Sequence, residues 1–560
     1  MALVALAVLG LLAVLVKRQG GPPEPFHTAA PPVPESFAAP LKPVETGPLV
    51  DLRPVRAKIP GFVGAEACRE CHPHNHATWH ASYHRTMTQV ATPAAALGDF
   101  NNYSTTSADG RHRMKLDAAD GQLWFTLTQL STGEAPGQQA RLPLTLMTGS
   151  HHLQTYWASL GPGREMTDMP LAWLTKDRRW VPRMALFLVP HDESLLLNRT
   201  DWNEFCIHCH TTQGRTQRPA PGQRQHYDSV VAEFGISCEA CHGPAENHVA
   251  AHRQAANRGT EPSTIAGDVV NPAALSAKQS SAVCGSCHSA HIERFLDARH
   301  HFRPGDDLAP TRNLFNQRDT LKSLRDSGAP PALVAEIRGK LENTFWSDGV
   351  ARVLGRDYTS MIESACHQAG DMGCLSCHSM HPGKDDPRPL REWADAQLHP
   401  KMRGDRACTQ CHAEADYAAA KHTHHTAASP GARCQNCHMP NTAFGLMKLA
   451  RNHTIENPSV QRTLETGRPN ACNLCHLDRS LGWTAGHLAD WYETAAPPLA
   501  DDDRNIAAAV NWALKGDANQ RAIIAWHMGW EPALKASGAD WMTPYLAEFM
   551  DDPYDAVRYI

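Results

Sequence analysis

The sequence predicts a mainly α-helical protein with little regular secondary structure, whose core is formed largely by bound groups and which ends in an α-solenoid segment. Three observations support this prediction. The 560 residues include 17 cysteines and 33 histidines but only 7% aromatic residues. The cysteines fall into closely spaced pairs, most of them separated by short stretches of chain. The last 80 residues contain no cysteine and are helical in pattern.

The overall composition argues against one class of partner and favours one kind of site. Hydrophobic residues make up 42% of the chain, charged residues 20%, and the formal net charge is −5. This balance offers no basic surface, so nucleic acid is not a predicted partner. The joint excess of cysteine and histidine favours metal or haem ligation over a disulfide scaffold, because disulfides have no use for the histidines.

Sixteen of the 17 cysteines lie in eight copies of the pattern C-x-x-C-H, which is the attachment site of c-type haem. Two thiols separated by two residues reach the vinyl groups on one edge of a porphyrin, and the next histidine then binds the iron axially. The predicted thioether cysteines are Cys68, Cys71, Cys206, Cys209, Cys238, Cys241, Cys284, Cys287, Cys374, Cys377, Cys408, Cys411, Cys434, Cys437, Cys472 and Cys475. The predicted proximal ligands are His72, His210, His242, His288, His378, His412, His438 and His476.

Structural zinc is the competing interpretation of paired C-x-x-C ligands. It does not explain why histidine, 33 of 560 residues, follows all eight pairs directly. The sequence therefore predicts eight haem c groups, each with one iron. Because haem c is attached outside the cytoplasm, a periplasmic or extracellular location is expected.

The 25 histidines outside the motifs supply candidates for the second axial position, for which methionine or open coordination are the main alternatives. Several of them directly follow a motif or lie between two motifs. The predicted distal ligands are His84, His151, His152, His248, His291, His381, His425 and His453. A histidine three residues beyond a proximal ligand cannot reach across its own porphyrin. His291 and His381 are therefore expected to serve neighbouring haems.

The N-terminus predicts a signal peptide or a membrane anchor over residues 1–18. The apolar run Met1–Val16 is followed by Lys17 and Arg18. No small-residue cleavage site follows it directly, which favours an uncleaved anchor. The positive-inside tendency would, however, keep both basic residues in the cytoplasm. The Pro-rich residues 19–60 then form a predicted linker.

Residues 61–480 form the predicted octahaem domain, with a non-haem insertion at 93–203. Within the insertion, Arg111–Leu116 and Gln122–Leu130 predict a β-hairpin. Residues 481–560 contain four predicted helices and resemble an incomplete HEAT-type solenoid, a possible site for a protein partner. The predicted helices are Leu481–Tyr492, Arg504–Leu514, Asn519–Met528 and Met542–Met550.

Several longer sequence motifs resemble those of a known protein family. They are Cys68-Arg-Glu-Cys-His, Cys238-Glu-Ala-Cys-His-Gly-Pro, Phe302-Arg-Pro-Gly-Asp, Phe345-Trp-Ser-Asp-Gly, Cys434-x-x-Cys-His-Met-Pro and Pro469-Asn-Ala-Cys-Asn-Leu-Cys-His. Residues 61 to about 478 thereby resemble the multihaem cytochromes that are often fused to TPR or HEAT repeats. The resemblance implies distant kinship with nitrifier tetrahaem cytochromes and hydroxylamine oxidoreductase. Octahaem nitrite and tetrathionate reductases mark their catalytic haem with C-x-x-C-K, which this sequence lacks.

The leading functional hypothesis is electron transfer between redox partner proteins on the non-cytoplasmic side of a membrane. One alternative is an oxidoreductase that acts on a nitrogen or sulfur compound at a single five-coordinate haem. Another is a structural or nanowire-like subunit of a larger assembly. These hypotheses differ in how many irons lack a sixth protein ligand.

The motif count predicts eight covalently attached haems per chain. Intact-mass measurement of the mature protein is expected to show eight haem additions and no stoichiometric zinc. A mass with seven haems or fewer in fully matured protein would contradict this prediction.

Overall fold

The structure is a computed structural model that describes residues 52–107, 110–130, 138–159, 164–186, 188, 202–217, 228–261, 269–294 and 302–560. The predicted anchor and residues 19–51 of the predicted linker lie outside the described residues. Among the described residues, no helix combines the length and the hydrophobicity needed to cross a bilayer.

The described strands belong to one large sheet and four small ones. In chain order they are β1 (Val55–Arg56), β2 (Thr88–Val90), β3 (Tyr103–Thr106), β4 (His112–Ala119), β5 (Gln122–Gln129), β6 (Gln139–Thr148), β7 (Leu153–Ser159), β8 (Met166–Leu174), β9 (Arg179–Pro182), β10 (Thr211–Thr212), β11 (Arg215–Gln217), β12 (Asp228–Val231), β13 (Glu233–Phe234), β14 (His291–Glu293), β15 (Arg312–Leu314), β16 (Asn441–Gly445) and β17 (Lys448–Arg451).

The described α-helices are mostly short, and the longest have 12 or 13 residues. In chain order they are α1 (Ala65–Arg69), α2 (Pro73–Ala81), α3 (Ile207–His210), α4 (Cys238–His242), α5 (Glu246–Arg258), α6 (Ala277–His288), α7 (Gln317–Asp326), α8 (Pro331–Leu341), α9 (Asp357–Met361), α10 (Ala365–Gln368), α11 (Leu390–Ala396), α12 (Arg406–Thr409), α13 (Glu414–Tyr417), α14 (Ala420–Thr423), α15 (Cys434–His438), α16 (Val460–Thr466), α17 (Leu481–Tyr492), α18 (Asp501–Asn505), α19 (Ala508–Lys515), α20 (Ala518–Met528), α21 (Glu531–Ser537), α22 (Thr543–Met550) and α23 (Asp555–Tyr559).

The insertion forms an eight-stranded antiparallel sheet with the order β3-β4-β5-β6-β7-β8-β9, and β2 pairs with β6. The predicted hairpin coincides with β4 and β5, which are joined by Asp120 and Gly121, both at positive φ. This two-residue turn matches the right-handed twist of the strands. The insertion is much larger than a single hairpin because β7 and most of β8 are buried on both faces. Such strands show no alternation of apolar and polar residues in the sequence.

The sheet supports the second cysteine motif. One face encloses an aromatic core that contains Phe125 and Tyr156. On the other face, Trp157 packs with Trp202 and Ile207, which lie directly before and within the second motif. The insertion thus holds one haem-attachment segment in place although it carries no motif itself.

The C-terminal helices pack onto the rest of the protein through a continuous core. Buried Ile523 and Ile524 of α20 belong to the same hydrophobic cluster as Leu474 and Leu477, which flank the last motif histidine. Helix α20 begins with a capping box, in which Asp517 accepts from the backbone of Gln520. The four predicted C-terminal helices correspond to α17, α19, α20 and α22. A HEAT-type solenoid stays a prediction.

The sheet core generates a prediction about stability. Replacing Phe125, which is 1% exposed, with alanine is expected to cost about 3–5 kcal/mol because it leaves a large cavity. On the same strand, replacing exposed Gln129 with alanine is expected to change stability by less than about 0.5 kcal/mol. Thermal denaturation of the two variants measures the difference. Equal melting temperatures would contradict the observed burial.

Candidate haem sites

Each cysteine motif occupies a helical turn, which brings its two thiols to the same side. Helices α4 and α15 consist entirely of a motif, and short 3₁₀ turns carry two others. The motif histidine closes the turn in several sites: the backbone N–H of His72 donates to the carbonyl of Cys68 at 2.8 Å, and that of His476 to Cys472 at 2.9 Å. Because residues i and i+3 share a helix face, this conformation suits attachment to one porphyrin edge. Below, sites 1 to 8 denote the eight motifs in chain order.

The motifs open into a shared internal space. One cavity of about 3160 Å³ is lined by residues of sites 1 to 7. None of the 17 cysteines forms a disulfide. An internal space of this size, bordered by thiols and imidazoles, is what a set of enclosed porphyrins requires.

Six motif histidines each face a second imidazole across a gap. The ring centroids of the pairs are 6.1–6.5 Å apart, and five of the six pairs are nearly parallel, the sixth being close to perpendicular. The pairs are His72 with His248, His288 with His84, His242 with His381, His378 with His453, His438 with His422, and His476 with His425.

This separation fits an iron between the rings. Rings in van der Waals contact would lie closer together, as His151 and His152 do at 3.6 Å. Two metal–nitrogen bonds of about 2.0–2.1 Å each, added to the distances from each centroid to its ligating nitrogen, give a value close to that observed. The pairs therefore fit bis-histidine ligation of haem iron.

Hydrogen bonds at Nδ1 orient many of these rings. Backbone carbonyls accept from His242 (Val270, 2.8 Å), His378 (Ala396, 3.0 Å), His438 (Glu456, 3.0 Å) and His425 (Thr423, 2.6 Å). The Thr78 hydroxyl donates to the Asn75 carbonyl and accepts from Nδ1 of His381 at 2.8 Å. When Nδ1 carries the proton, Nε2 is left as the ligand atom, and the ring orientation is fixed.

At His453, Nδ1 faces a carboxylate instead of a neutral group. Asp357 Oδ1 lies 3.3 Å from Nδ1 of His453, and its Oδ2 lies 3.9 Å from Nδ1 of His288. Burial raises the pKa of Asp357, but its close contact with the His453 ring outweighs this effect, so the pKa is lowered overall. The same contact raises the pKa of His453 against the effect of burial. An ionised carboxylate therefore lies between the rings of sites 4 and 5.

Burial keeps other candidate ligands neutral, as metal binding requires. It lowers the pKa of His84 to about 4 and that of His381 to about 4. A neutral imidazole has a free nitrogen lone pair at neutral pH, so these rings are ready to bind iron.

Sites 2 and 6 differ from the other six. For His210 and His412, no second imidazole lies at the 6.1–6.5 Å separation among the residues that the structure describes. Burial, followed by the charge of Arg356, lowers the pKa of His210 to about 4. His412 contacts the ring of Tyr417, with centroids 5.1 Å apart.

The structure places five of the predicted distal ligands opposite a motif histidine: His84, His248, His381, His425 and His453. The sequence reasoning missed His422, which faces His438 at 6.3 Å. The two motifs that follow the cluster of His422, His424 and His425 each need a ligand, and this signal was available in the sequence.

The other three predicted distal ligands do not face a motif histidine within the described part of the chain. His151 stacks on Tyr83 at 4.0 Å and bonds Asp395 at 2.9 Å. Lys448 donates to His152. His291 shares a hydrogen bond of 2.8 Å with the hydroxyl of Ser289.

Contacts between motifs connect the sites. The thiols of four cysteine pairs lie close enough to shift one another's pKa, which brings site 1 near site 3, site 2 near site 4, site 4 near site 5, and site 6 near site 7. The pairs are Cys68–Cys238, Cys209–Cys287, Cys284–Cys374 and Cys408–Cys434. His381 follows the site 5 motif and faces His242 of site 3. Weaker electrostatic interactions of Cys377 with Cys411 and of Cys437 with Cys475 connect site 5 to site 6 and site 7 to site 8. All eight sites thus belong to one connected array.

Eight attachment motifs on helical turns, a shared cavity and facing imidazoles define a multihaem protein of the cytochrome c class. Two family models agree: "Cytochrome c7 and related cytochrome c" matches residues 392–477, and "Cytochrome c554 and c-prime" matches residues 191–243. The chain is a multihaem c-type cytochrome.

Two known proteins are similar to it. The multiheme cytochrome MtrA of Shewanella baltica (strain OS185) is 24% identical over 264 residues, which cover 42% of this chain and 75% of MtrA. The crystal structure of outer cell wall cytochrome OcwA aligns over 89% of this chain and 99% of its own, with 16% identity and a TM-score of 0.44. The predicted HEAT fusion and nitrifier kinship stay predictions.

The cluster of three histidines generates a prediction about ligation. Replacing His422 with methionine is expected to raise the potential of one haem, because methionine ligation favours the reduced iron more than histidine does. Replacing His424, which stacks on Trp491 at 4.3 Å, is expected to leave all potentials unchanged. Redox titration followed by absorbance distinguishes the two. A shift with His424→Met and none with His422→Met would contradict the geometry.

Proposed function

We propose that this cytochrome transfers electrons through eight haem c groups arranged as one connected array. The observation that carries the proposal is the set of six imidazole pairs at iron-binding separation, in sites whose cysteines lie near one another. Each haem iron would accept and release one electron at a time. The sixteen motif cysteines would hold the porphyrins, and the paired histidines would bind the irons.

The surrounding residues favour electron transfer over substrate binding at most sites. Two imidazoles occupy both axial positions of an iron and leave no position for a substrate. Hydrogen bonds from Nδ1 to carbonyls fix ring orientation and make the ligands more basic, which stabilises the oxidised iron. Rigid coordination of this kind limits structural change when an electron arrives.

The connections between sites define the route. Sites 4, 5, 6, 7 and 8 follow one another, site 3 adjoins site 5, and sites 1 and 2 extend the array beyond sites 3 and 4. Electrons that enter at one site of the array would therefore reach every other site without leaving the protein. Redox partner proteins would supply and remove them at its ends.

The proposed location is the non-cytoplasmic side of a membrane. Haem c chemistry supports it, because haem c is attached outside the cytoplasm. Attachment through residues 1–18 and a partner at the C-terminal helices belong to the same proposal.

A second candidate function is an oxidoreductase reaction on a nitrogen or sulfur compound at site 2. The specific observation is that His210 faces no described imidazole, while the positive charge of Arg356 acts on it. Such a site would attract a small anion to an open axial position. This function requires a high-spin haem at site 2.

A spectroscopic count tests both candidates. Electron transfer through mostly bis-histidine sites predicts at least six low-spin haems and no fast reaction with hydroxylamine, nitrite or sulfite. Electron paramagnetic resonance and stopped-flow absorbance provide the two measurements. Fewer than six low-spin haems would contradict the array proposal, whereas one high-spin haem with rapid turnover would favour the second candidate.

A further inference from the structure

A second cavity lies outside the haem sites, between helices α7 and α8 and the beginning of helix α20. Its volume is about 750 Å³, which is within the range of pockets that bind small organic molecules. None of the sixteen motif cysteines or the eight motif histidines lines it. We call this cavity the α7–α20 cleft, and haem binding gives it no role.

Positive charge predominates on the lining of the α7–α20 cleft. Five basic and two acidic side chains line it: Arg318, Lys322, Arg325, Arg338 and Arg352, and Glu342 and Asp517. Arg325 and Arg338 are exposed, and neither forms an ion pair within the described ranges. A concave surface with an excess of one charge attracts ions of the opposite charge. The cleft is therefore expected to attract anions.

Three buried polar groups that line the cleft have no partner in the part of the chain that the structure describes. Asn519 is 2% exposed, and both its amide nitrogen and its amide oxygen are unpaired. Nε1 of Trp346, which is 2% exposed, and Nε of Arg352, which is 7% exposed, are unpaired as well. A buried polar group without a partner destabilises the folded state. The indole and guanidinium nitrogens can only donate, so the partner that they lack must be an acceptor.

The donors of the cleft are held in place by the surrounding protein. Nη2 of Arg352 donates to both carboxylate oxygens of Asp517, at 2.6 and 2.7 Å, and its guanidinium carbon lies 4.0 Å from the ring centroid of Trp346. Asp517 also caps α20 by accepting from the backbone N–H of Gln520 at 3.0 Å. The first turn of α20, which contains Asn519, adds the partial positive charge of a helix N-terminus. Donors that are already ordered lose little conformational entropy when a ligand binds.

We propose that the α7–α20 cleft binds a small organic anion that carries two or more phosphoryl or carboxylate groups. Asn519, Trp346 and Arg352 would donate to its oxygen atoms in the buried part of the cleft, and Arg325 and Arg338 would compensate charge at the exposed part. A bound anion would contact both the α7–α8 pair and the C-terminal helices, so it would stabilise the contact between them. This site is additional to the proposed electron transfer and does not depend on it.

The test is isothermal titration calorimetry and thermal denaturation of the full-length holoprotein with pyrophosphate and, separately, with citrate at constant ionic strength. At least one of them is expected to bind saturably at one site per chain. The same anion is expected to raise the melting temperature, because a ligand that binds only the folded state stabilises it. Binding of pyrophosphate alone would assign the cleft to phosphorylated molecules, and binding of citrate alone would assign it to carboxylates.

Two substitutions of Asn519 test the buried part of the cleft. Asn519→Asp keeps the size of the side chain but adds a negative charge, and Asn519→Leu removes both unpaired polar atoms. Each is expected to weaken binding about tenfold or more, since a hydrogen bond to a charged group is lost. Without added anion, Asn519→Leu is expected to melt at the wild-type temperature or above it, because the buried unpaired amide is gone. A residue needed only for folding would instead lower this melting temperature.

Arg338→Gln tests the exposed part, and two further variants are matched controls. Arg338→Gln is expected to weaken binding and to reduce its dependence on salt concentration. Arg258→Gln changes an exposed arginine at the end of α5, and Asn511→Leu changes an asparagine of α19 whose amide donates to the Asp502 carbonyl at 3.2 Å. Neither control residue lines the cleft, so both variants are expected to bind the anion as the wild type does.

Absence of saturable binding for both pyrophosphate and citrate would overturn the inference. Equal affinities of the wild type and Asn519→Asp would also overturn it, because the anion would then bind elsewhere. Neither result bears on the proposed electron transfer, which is tested by the number of low-spin haems in the wild-type protein.

Discussion

The structure depends on one geometric requirement: two imidazoles, supplied by different parts of the chain, must lie on opposite sides of one iron. His72 and His248 are 176 residues apart in the chain, and His84 and His288 are 204 apart, yet their ring centroids lie 6.5 Å from each other. Each such pair joins two distant segments, as a disulfide would. In the proposed haem-loaded protein, iron-bridged pairs would replace much of the apolar core of an ordinary helical domain, so short helices would suffice.

Hydrogen bonds from the imidazole Nδ1 atoms place a similar requirement on the backbone, because a carbonyl group must reach each ring. The carbonyls of Val270, Ala396 and Glu456 each lie 18 or more residues after the histidine that they accept from. A loop after each of these motifs must therefore return to the ring. This explains why segments without regular secondary structure lie against the sites. The loops are part of the ligand sphere and not only connections.

The attachment sites could be predicted from the sequence because the chemistry requires adjacent residues. Distal ligands are harder to predict from the sequence, since their positions depend on which remote segments of the chain come together. His381 was predictable from its place just after a motif, whereas choosing between His422 and His425 required knowing that both are used. His151 and His152 resemble a ligand pair, but they lie against Tyr83 and Lys448.

The insertion shows a different limit of prediction from the sequence. The hairpin of β4 and β5 follows from alternating residues and an Asp-Gly turn. Strands β7 and β8 are buried on both sides, so their sequence shows neither strand nor helix periodicity. A helical pattern predicts four of the helices from Leu481 onward, but it misses α18 and α21, and predicted Arg504–Leu514 runs across the break between α18 and α19. Their contact with the last motif could not be read from that pattern.

The pairing of His84 with site 4 has a consequence for biogenesis. His84 lies just after the first motif but faces His288, which is synthesised only after 204 more residues. Site 1 likewise waits for His248. The porphyrins attached first would therefore spend time with only one axial ligand while the chain is still emerging. Maturation would thus pass through forms with an axial position open to small molecules, and the later segments would close it.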